Sequence, residues 1–132
     1  MSLTDPIADL LNRIRNAIMA KHLSTNVPFS TIKLEIIKAI KAGGYIKGYK
    51  VLDKDGKKDI RVYLKYDAQN NAIINGLQRI SKPGRRVYVS KDKIPKVLGG
   101  FGMAILSTSK GVLTDKSCQK ENTGGEIICS IW

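Results

Sequence analysis

The sequence predicts an α+β fold made of two small subdomains. Three patterns support this: apolar residues at helical spacing near the start, alternating segments around an Asp-Gly turn, and short β-like segments thereafter. A chain of 132 residues, 42% hydrophobic, is long enough for one domain or two very small ones. The polar segment Asp67–Asn71 is the expected boundary. It separates an N-terminal α/β subdomain with a β-hairpin (1–67) from a C-terminal, predominantly antiparallel β subdomain (71–132).

Two helices are expected in the N-terminal subdomain. Asp5 followed by Pro6 is typical of a helix start, because a carboxylate can cap the first amides and proline has no amide proton to leave unpaired. The buried stripe of this helix is formed by apolar residues at helical spacing: Ile7, Leu10, Leu11, Ile14 and Ile18. Ser30 is expected to cap a second helix, which ends at Gly43–Gly44.

β-Strands are expected on both sides of the boundary. The Asp53–Gly56 turn joins the first two strands into a hairpin. The predicted strands are Tyr45–Leu52, Ile60–Tyr66, Ile73–Ile80, Arg86–Ser90, Met103–Thr108 and Glu126–Trp132. Short helices are predicted at Asp92–Leu98 and Thr114–Gln119, and a short strand near Asn26 and Val27 is an option.

The chain is strongly basic. Lysine and arginine number 23 against 11 acidic residues, which gives a net charge of +12 and a pI near 9.9. A charge of this size favours a polyanionic partner, because each neutralised phosphate releases condensed counterions. The excess is spread over the chain, with thirteen basic and six acidic residues up to Tyr66 and ten against five after it. A folded surface that meets nucleic acid is therefore predicted, and a merely soluble basic protein is the alternative.

Residues suited to catalysis are scarce. His22 is the only histidine and lies in a polar connection, so solvent exposure is its simplest explanation. Gly100-Phe101-Gly102 lacks the third glycine of a dinucleotide fingerprint, and no Gly-Lys-Ser/Thr phosphate loop occurs. Cys118 and Cys129 have no second pair to form a zinc ribbon, and Cys129 is expected to be a small core residue. We therefore expect no enzyme activity, no cofactor and no metal.

The sequence also contains no pattern for export or membrane insertion. Asp5 and Asp9 lie where a signal segment would be basic and then apolar. No apolar run approaches the roughly 20 residues that span a bilayer. A soluble, reducing compartment and no membrane partner are therefore expected.

The best candidate binding site follows the predicted strand Met103–Thr108. Hydroxyl side chains and a lysine surround a glycine there, in Ser107, Thr108, Ser109, Lys110 and Gly111. Lysine supplies a charge for phosphate, and hydroxyls can donate to and accept from 2′-hydroxyls or base edges. An ordinary polar hairpin turn has the same composition, so the residues alone leave both interpretations open.

Four further features are candidates for nucleic-acid contact. Tyr88 could stack on a splayed base or be a half-buried sheet aromatic. Glu126 could orient a loop backbone or accept a hydrogen bond from an exocyclic amine or hydroxyl. The Gly124–Gly125 pair offers open backbone amides next to the hydroxyl loop. Arg13 and Arg15 could contact phosphate from the first helix or form a solvated face.

Several motifs, in one order along nearly the whole chain, resemble those of the bacterial-type ribosomal protein S8 family. That family consists of small-subunit proteins that bind ribosomal RNA. The motifs are Thr4–Asp9, Arg13–Ala17, Arg79–Gly84 with Arg86–Tyr88, Ile94–Leu98, Gly102–Ile105, Ser107–Asp115 and Gly124–Cys129. Several independent motifs in one order are more specific than any one alone.

The resemblance implies a structural constituent of the small subunit that binds 16S-type ribosomal RNA in its central domain and stabilises it during 30S assembly. It implies RNA-binding roles for Thr4, Arg13, Arg15, Tyr88, Ser107, Thr108, Ser109, Lys110, Gly111, Gly124, Gly125 and Glu126. Neighbouring ribosomal proteins are the other expected partners. The expected location is a cytoplasmic ribosome, or an organelle stroma or matrix if the protein is organelle-encoded.

Two alternatives to a purely structural role are considered. The protein could also repress translation by binding its own operon messenger RNA at a mimic of the ribosomal site, a role associated with the same family in bacteria. A small RNA-modifying enzyme is the third hypothesis. Stoichiometric binding of one RNA helix without turnover would distinguish that enzyme from the other two.

Overall fold

A computed structural model describes residues 5–132, which pack into two units. One unit comprises residues 7–75, and the other comprises residues 76–132 together with Asp5 and Pro6. The units divide in sequence between Asn75 and Gly76, a few residues after the polar segment Asp67–Asn71. A β-bridge between Tyr66 and Ala72 keeps that segment with the first unit.

The first unit contains two helices and a three-stranded antiparallel sheet in the order β1-β3-β2. Its elements are α1 (Pro6–Met19), β1 (Ser24–Pro28), α2 (Thr31–Ala42), β2 (Ile46–Lys54) and β3 (Lys57–Leu64). The Ser30 hydroxyl accepts a hydrogen bond from the Lys33 amide at 3.2 Å, which confirms the predicted cap of α2. The optional strand near Asn26 is present as β1.

The core of this unit follows the two periodicities of the sequence. α1 buries Leu10, Leu11, Ile14 and Ala17, and α2 buries Ile36, Ile37 and Ile40. Alternate residues of β3, Ile60, Val62 and Leu64, are buried, whereas the residues between them are not. The sheet therefore has one buried face and one outer face.

The β2–β3 hairpin has a tighter turn than the sequence predicts. Only Asp55 and Gly56 lie between the strands, and both have positive φ angles, 56° and 80°. Such a two-residue turn matches the right-handed twist of the flanking strands. β2 and β3 therefore extend to Lys54 and Lys57, beyond the predicted strand ends, and these two lysines face each other.

The second unit combines an antiparallel sheet with a short helix. Its elements are β4 (Leu77–Arg79), β5 (Tyr88–Val89), β6 (Met103–Thr108), β7 (Gly111–Thr114), α3 (Asp115–Lys120) and β8 (Gly125–Ile131). The sheet order is β4-β8-β6-β7, and β5 also pairs with β8. Helices in both units and the antiparallel pairing of every strand within residues 5–132 confirm the predicted α+β class.

Several predicted segments differ in extent. The predicted strand Ile73–Ile80 is reduced to β4, because the Ile73 amide instead donates to the Lys65 carbonyl oxygen of the first unit at 3.0 Å. The predicted helix Asp92–Leu98 is replaced by two short 3-10 turns, Lys91–Lys93 and Val97–Gly100, separated by Pro95. β7 was not predicted as a strand.

The core of the second unit lies between the sheet and the segments that flank it. Its centre is formed by Ile94, Ala104, Leu106, Cys118 and Ile127. Cys129 of β8, paired with Ile105, is completely buried on the opposite face of the sheet, and burial raises the pKa of its thiol to about 12. The sequence interpretation of Cys129 as a small core residue is confirmed. None of the helices in the described residues is long and apolar enough to span a membrane.

Arg79 forms the least exposed ion pair among the described residues. Its Nε lies 3.1 Å from Oδ2 of Asp5, and the two side chains are only 10% and 18% exposed. A second guanidinium nitrogen donates to the carbonyl oxygen of Ile128 at 2.7 Å. The pair fastens Asp5 to the sheet of the second unit, which explains why Asp5 packs there.

Candidate nucleic-acid interface

Three predicted site residues form a row across three strands of the second unit. Glu126 of β8 lies directly opposite Ser107 of β6 on one side and Tyr88 of β5 on the other. Directly opposed residues of an antiparallel pair project to the same face of a sheet. The row Ser107–Glu126–Tyr88 therefore brings together residues that are far apart in the sequence.

The row lies on the face of the sheet opposite to the core cluster of Ile94, Ala104, Leu106, Cys118 and Ile127. The neighbouring positions Leu106 and Ile127 are paired with each other and buried, so they belong to the core face. Tyr88 is 69% exposed and its ring is free for stacking, whereas Glu126 is only 17% exposed. The half-buried position that the sequence left open for Tyr88 is therefore not observed. An exposed aromatic face beside a hydroxyl and a carboxylate suits base and ribose recognition.

Arg86 belongs to this row although the sequence did not nominate it as a site residue. Its guanidinium donates to Oε2 of Glu126 at 3.1 Å, and the arginine side chain is 49% exposed. The pair holds the Glu126 carboxylate in place and leaves part of the guanidinium accessible. The contact joins residues that are 40 positions apart, so no local pattern could reveal it.

The β6–β7 turn is held by the Thr108 hydroxyl. Thr108 and Gly111 are paired across two turn residues, and Gly111 has a φ angle of 106°, which favours glycine. The hydroxyl donates to the Gly111 carbonyl oxygen at 2.8 Å and accepts from the Lys110 amide at 3.1 Å. Its hydrogen is thus used inside the turn, and Thr108 positions the loop rather than offering a free donor.

Ser107 and Ser109 are the hydroxyls that remain available. Within residues 5–132 neither side chain makes a hydrogen bond, Ser109 is exposed, and Ser107 is partly exposed. Ser107 lies in the row beside Glu126, and Ser109 lies at the tip of the turn. Both can therefore donate to and accept from a ligand without breaking a bond within the protein.

Lys110 is paired within the protein. Its ammonium group donates to the Glu121 carbonyl oxygen at 3.0 Å and lies 3.5 Å from the Glu121 carboxylate. Both side chains are 52% exposed, and exposed pairs of this kind contribute about 0–1 kcal/mol to stability. Lys110 can therefore exchange this partner for a phosphate at little cost.

The glycine pair Gly124–Gly125 is required by close backbone packing. A Cβ atom at Gly124 would lie 2.3 Å from the Val89 carbonyl oxygen, and one at Gly125 would lie 2.2 Å from the Ser107 carbonyl oxygen. Any larger residue would push β8 away from β5 or β6. The glycines therefore keep the three strands of the row in register.

The candidates of the N-terminal part lie outside this row. Arg13 pairs with Asp9 at 2.9 Å and donates to the Asn26 carbonyl oxygen at 3.1 Å. Arg15 donates to the Asn12 side chain. Both arginines belong to α1 in the first unit, and Thr4 lies outside the described residues. In residues 5–132 no group of three His, Cys, Asp or Glu side chains is placed to hold a metal ion.

A family model described as ribosomal protein S8 matches residues 5–132 of the chain. The small ribosomal subunit protein uS8 of Halothermothrix orenii is 53% identical over 132 residues, which cover all of both chains. The uS8 proteins of Thermodesulfovibrio yellowstonii and Desulforudis audaxviator are each 55% identical over 130 residues, 98% of this chain and 99% of theirs.

An α+β fold of two small units, matched over residues 5–132 by one family model, defines a ribosomal RNA-binding protein. The chain belongs to the ribosomal protein S8 family. It is accordingly a structural ribosomal protein that binds ribosomal RNA, and not an enzyme, as the motifs predicted.

Proposed function

We propose that this chain is a constituent of the small ribosomal subunit whose second unit binds the central domain of the small-subunit RNA during 30S assembly. The row Ser107–Glu126–Tyr88 is the observation that carries this proposal. The names of its relatives, small ribosomal subunit proteins, support the assignment to that subunit.

Each member of the row has a distinct chemical task. The exposed Tyr88 ring stacks on an unpaired base. The Ser107 hydroxyl donates to or accepts from a 2′-hydroxyl or a base edge. The Glu126 carboxylate, held by Arg86 at 3.1 Å, accepts from an exocyclic amine or a ribose hydroxyl. Together these groups read an unpaired nucleotide rather than a regular duplex.

The surrounding candidates position the row and supply charge. Thr108 and Gly111 hold the turn that presents Ser109, and Lys110 leaves Glu121 to pair with a phosphate. The Gly124–Gly125 pair keeps the strands close enough for the row to form. Thr4, Arg13 and Arg15 are proposed phosphate contacts of the N-terminal part.

Footprinting of the purified full-length chain on small-subunit ribosomal RNA tests this function. Protection is expected at one site in the central domain, and Ser107→Ala with Tyr88→Ala should abolish it without changing the unfolding midpoint. Ser90→Ala is a matched control, because Ser90 is exposed and lies outside the row. Protection that is absent in wild type, or unchanged in the double variant, would overturn the proposed site.

A messenger RNA role is a second proposal that rests on the same row. The row presents groups that recognise nucleotides and not a ribosomal context, so a messenger segment with the same unpaired nucleotides would compete for it. The segment upstream of this protein's own coding region should displace the central-domain RNA from the wild-type chain. Failure of that segment to compete would exclude the messenger role alone.

The ribosome concerned is proposed to be cytoplasmic, with ribosomal proteins as the other neighbours.

A further inference from the structure

The outer face of the β1-β3-β2 sheet carries a concentration of positive charge. Lys50 and Lys54 of β2 and Lys57 and Arg61 of β3 alternate with core-facing residues and share this face. The three lysines are exposed, and Arg61 is partly exposed. We call these four residues the basic sheet face.

Two cross-strand pairs within this face have like charges. Lys54 lies directly opposite Lys57, and Lys50 lies directly opposite Arg61. Directly opposed like charges destabilise a sheet. On the other face of the same hairpin, Asp53 lies opposite Lys58, which is the favourable arrangement. The free protein therefore carries two unfavourable pairs on one face only, and a bound polyanion would relieve both.

The remaining groups on the face do not neutralise it. Asp59 is the acidic residue between the two pairs, so four cations meet one carboxylate. The Arg61 Nε donates to the Asn26 side-chain oxygen at 3.1 Å, which orients the guanidinium without changing its charge. Beside them, Tyr63 lies across from Gly48, where a Cβ atom would meet nothing within 4 Å. The space above Gly48 is therefore open.

We propose that the basic sheet face is a second RNA-binding surface that grips the phosphate backbone of the ribosomal RNA bound by the row in the other unit. This inference rests on the proposed function for the identity of the RNA. Lys50 and Lys54, like Lys57 and Arg61, are four residues apart, about 13 Å along an extended strand, so the face presents two pairs of cations along a backbone. Because phosphates look alike in every sequence, the surface adds affinity and orientation without adding sequence preference.

The test compares two double variants of the full-length chain. Lys54→Gln with Lys57→Gln removes one like-charge pair, and Lys38→Gln with Lys41→Gln removes the same charge from exposed positions of α2. Affinity for the central-domain RNA and for the whole small-subunit RNA is measured from low to physiological salt. The first variant should flatten the slope of log affinity against log salt by about 1.5, at 0.7–0.9 for each contact. The control should leave the slope within about 0.5 of wild type.

Equal slopes for the two variants would overturn the inference. Loss of binding by Tyr88→Ala with an unchanged slope for Lys54→Gln/Lys57→Gln would leave the proposed function standing and reject only the second surface. If neither set of variants affects binding, the proposed function fails as well. Unchanged RNA binding with lost incorporation into small subunits would assign the face to an acidic protein and would equally reject the inference.

A measurement without RNA tests the premise. Added salt screens the repulsion between Lys54 and Lys57, so the urea midpoint of wild type should rise with salt more than that of Lys54→Gln/Lys57→Gln. The variant should also have the higher midpoint at low salt. Identical salt dependence of the two proteins would show that the like-charge pairs do not repel measurably and would remove the reason for the proposal.

Discussion

The guanidinium of Arg86, two residues before β5, donates a hydrogen bond to the carboxylate of Glu126 in β8 at 3.1 Å. Glu126 is largely enclosed, with 17% of its side chain exposed, and its only described ion-pair partner is Arg86. An acidic group at an RNA interface is unfavourable unless a cation compensates its charge. The pair therefore lets a carboxylate serve as an acceptor within a basic protein.

Arg86→Gln should weaken binding of the central-domain RNA by roughly 1–3 kcal/mol, because the freed Glu126 charge then faces phosphate. Arg85→Gln is the matched control, since Arg85 is an exposed neighbour without a described side-chain partner. The double variant Arg86→Gln/Glu126→Gln should recover part of the loss. Equal effects of the two arginine substitutions in a titration of RNA affinity would show that Arg86 acts only as a surface charge.

Tyr88→Ala should lower RNA affinity by roughly 1–3 kcal/mol, the usual contribution of one stacked base, whereas Tyr88→Phe should retain most of it. The side chain is 69% exposed, so neither substitution should change the free energy of unfolding appreciably. Equilibrium binding and urea unfolding measured together distinguish the two effects. A loss as large for phenylalanine as for alanine would mean that the hydroxyl, and not the ring, makes the contact.

Thr108→Val should lower the free energy of unfolding by about 1 kcal/mol, because its hydroxyl bonds both Gly111 and Lys110 within the turn. Ser109→Ala should leave stability unchanged, since the Ser109 hydroxyl has no partner in the described residues. Urea unfolding should therefore give a lower free energy of unfolding for Thr108→Val than for Ser109→Ala. If they destabilise equally, the Thr108 hydrogen bonds do not hold the turn in solution.

Gly125→Ala should destabilise the protein by about 2 kcal/mol, since its Cβ would lie 2.2 Å from the Ser107 carbonyl oxygen and force β6 and β8 apart. Gly48→Ala is the control, because a Cβ at Gly48 meets nothing within 4 Å. Thermal or urea unfolding checks the difference, and RNA affinity should fall only for Gly125→Ala. A stable Gly125→Ala variant with full affinity would contradict the packing role of the glycine pair.

The buried Cys129 thiol predicts a pH dependence of stability. Burial raises its pKa from 9.0 to about 12, outweighing the nearby Arg79, which lowers it. Above pH 9 the unfolded thiol ionises while the folded thiol stays protonated, so the free energy of unfolding falls as pH rises between 9 and 12. The fall approaches about 1.4 kcal/mol per pH unit. The difference in free energy of unfolding between wild type and Cys129→Ala, measured by urea unfolding at pH 8 to 10, should show this fall. Parallel pH curves for the two proteins would contradict it.

Features fixed by neighbours in the sequence were predictable. The Ser30 cap depends on a residue three positions away, and the alternation around Ile60 and Val62 identifies the buried face of the sheet. Met103–Thr108 was predicted with its observed bounds, because a continuous apolar run precedes the hydroxyl loop. Such patterns express local geometry, which the sequence carries directly.

Features created by distant contacts were not predictable. The hydroxyl loop was identified from composition, yet only the structure shows that Thr108 holds the turn and that Lys110 is paired with Glu121. Arg86 is part of the candidate site only because its guanidinium contacts Glu126, which is 40 positions away. The predicted strand Ile73–Ile80 was shortened because Ile73 pairs with Lys65 in the first unit, a contact that no local pattern indicated.

β8 pairs with β4, β5 and β6, although it follows all of them in the chain. A polypeptide leaving its exit tunnel thus releases β4, β5 and β6 before the strand that joins them, and until then Ser107 and Tyr88 have no shared neighbour. Premature termination before Gly125 would yield fragments without the Ser107–Glu126–Tyr88 row. Any binding that depends on the row would therefore require synthesis to run past β8.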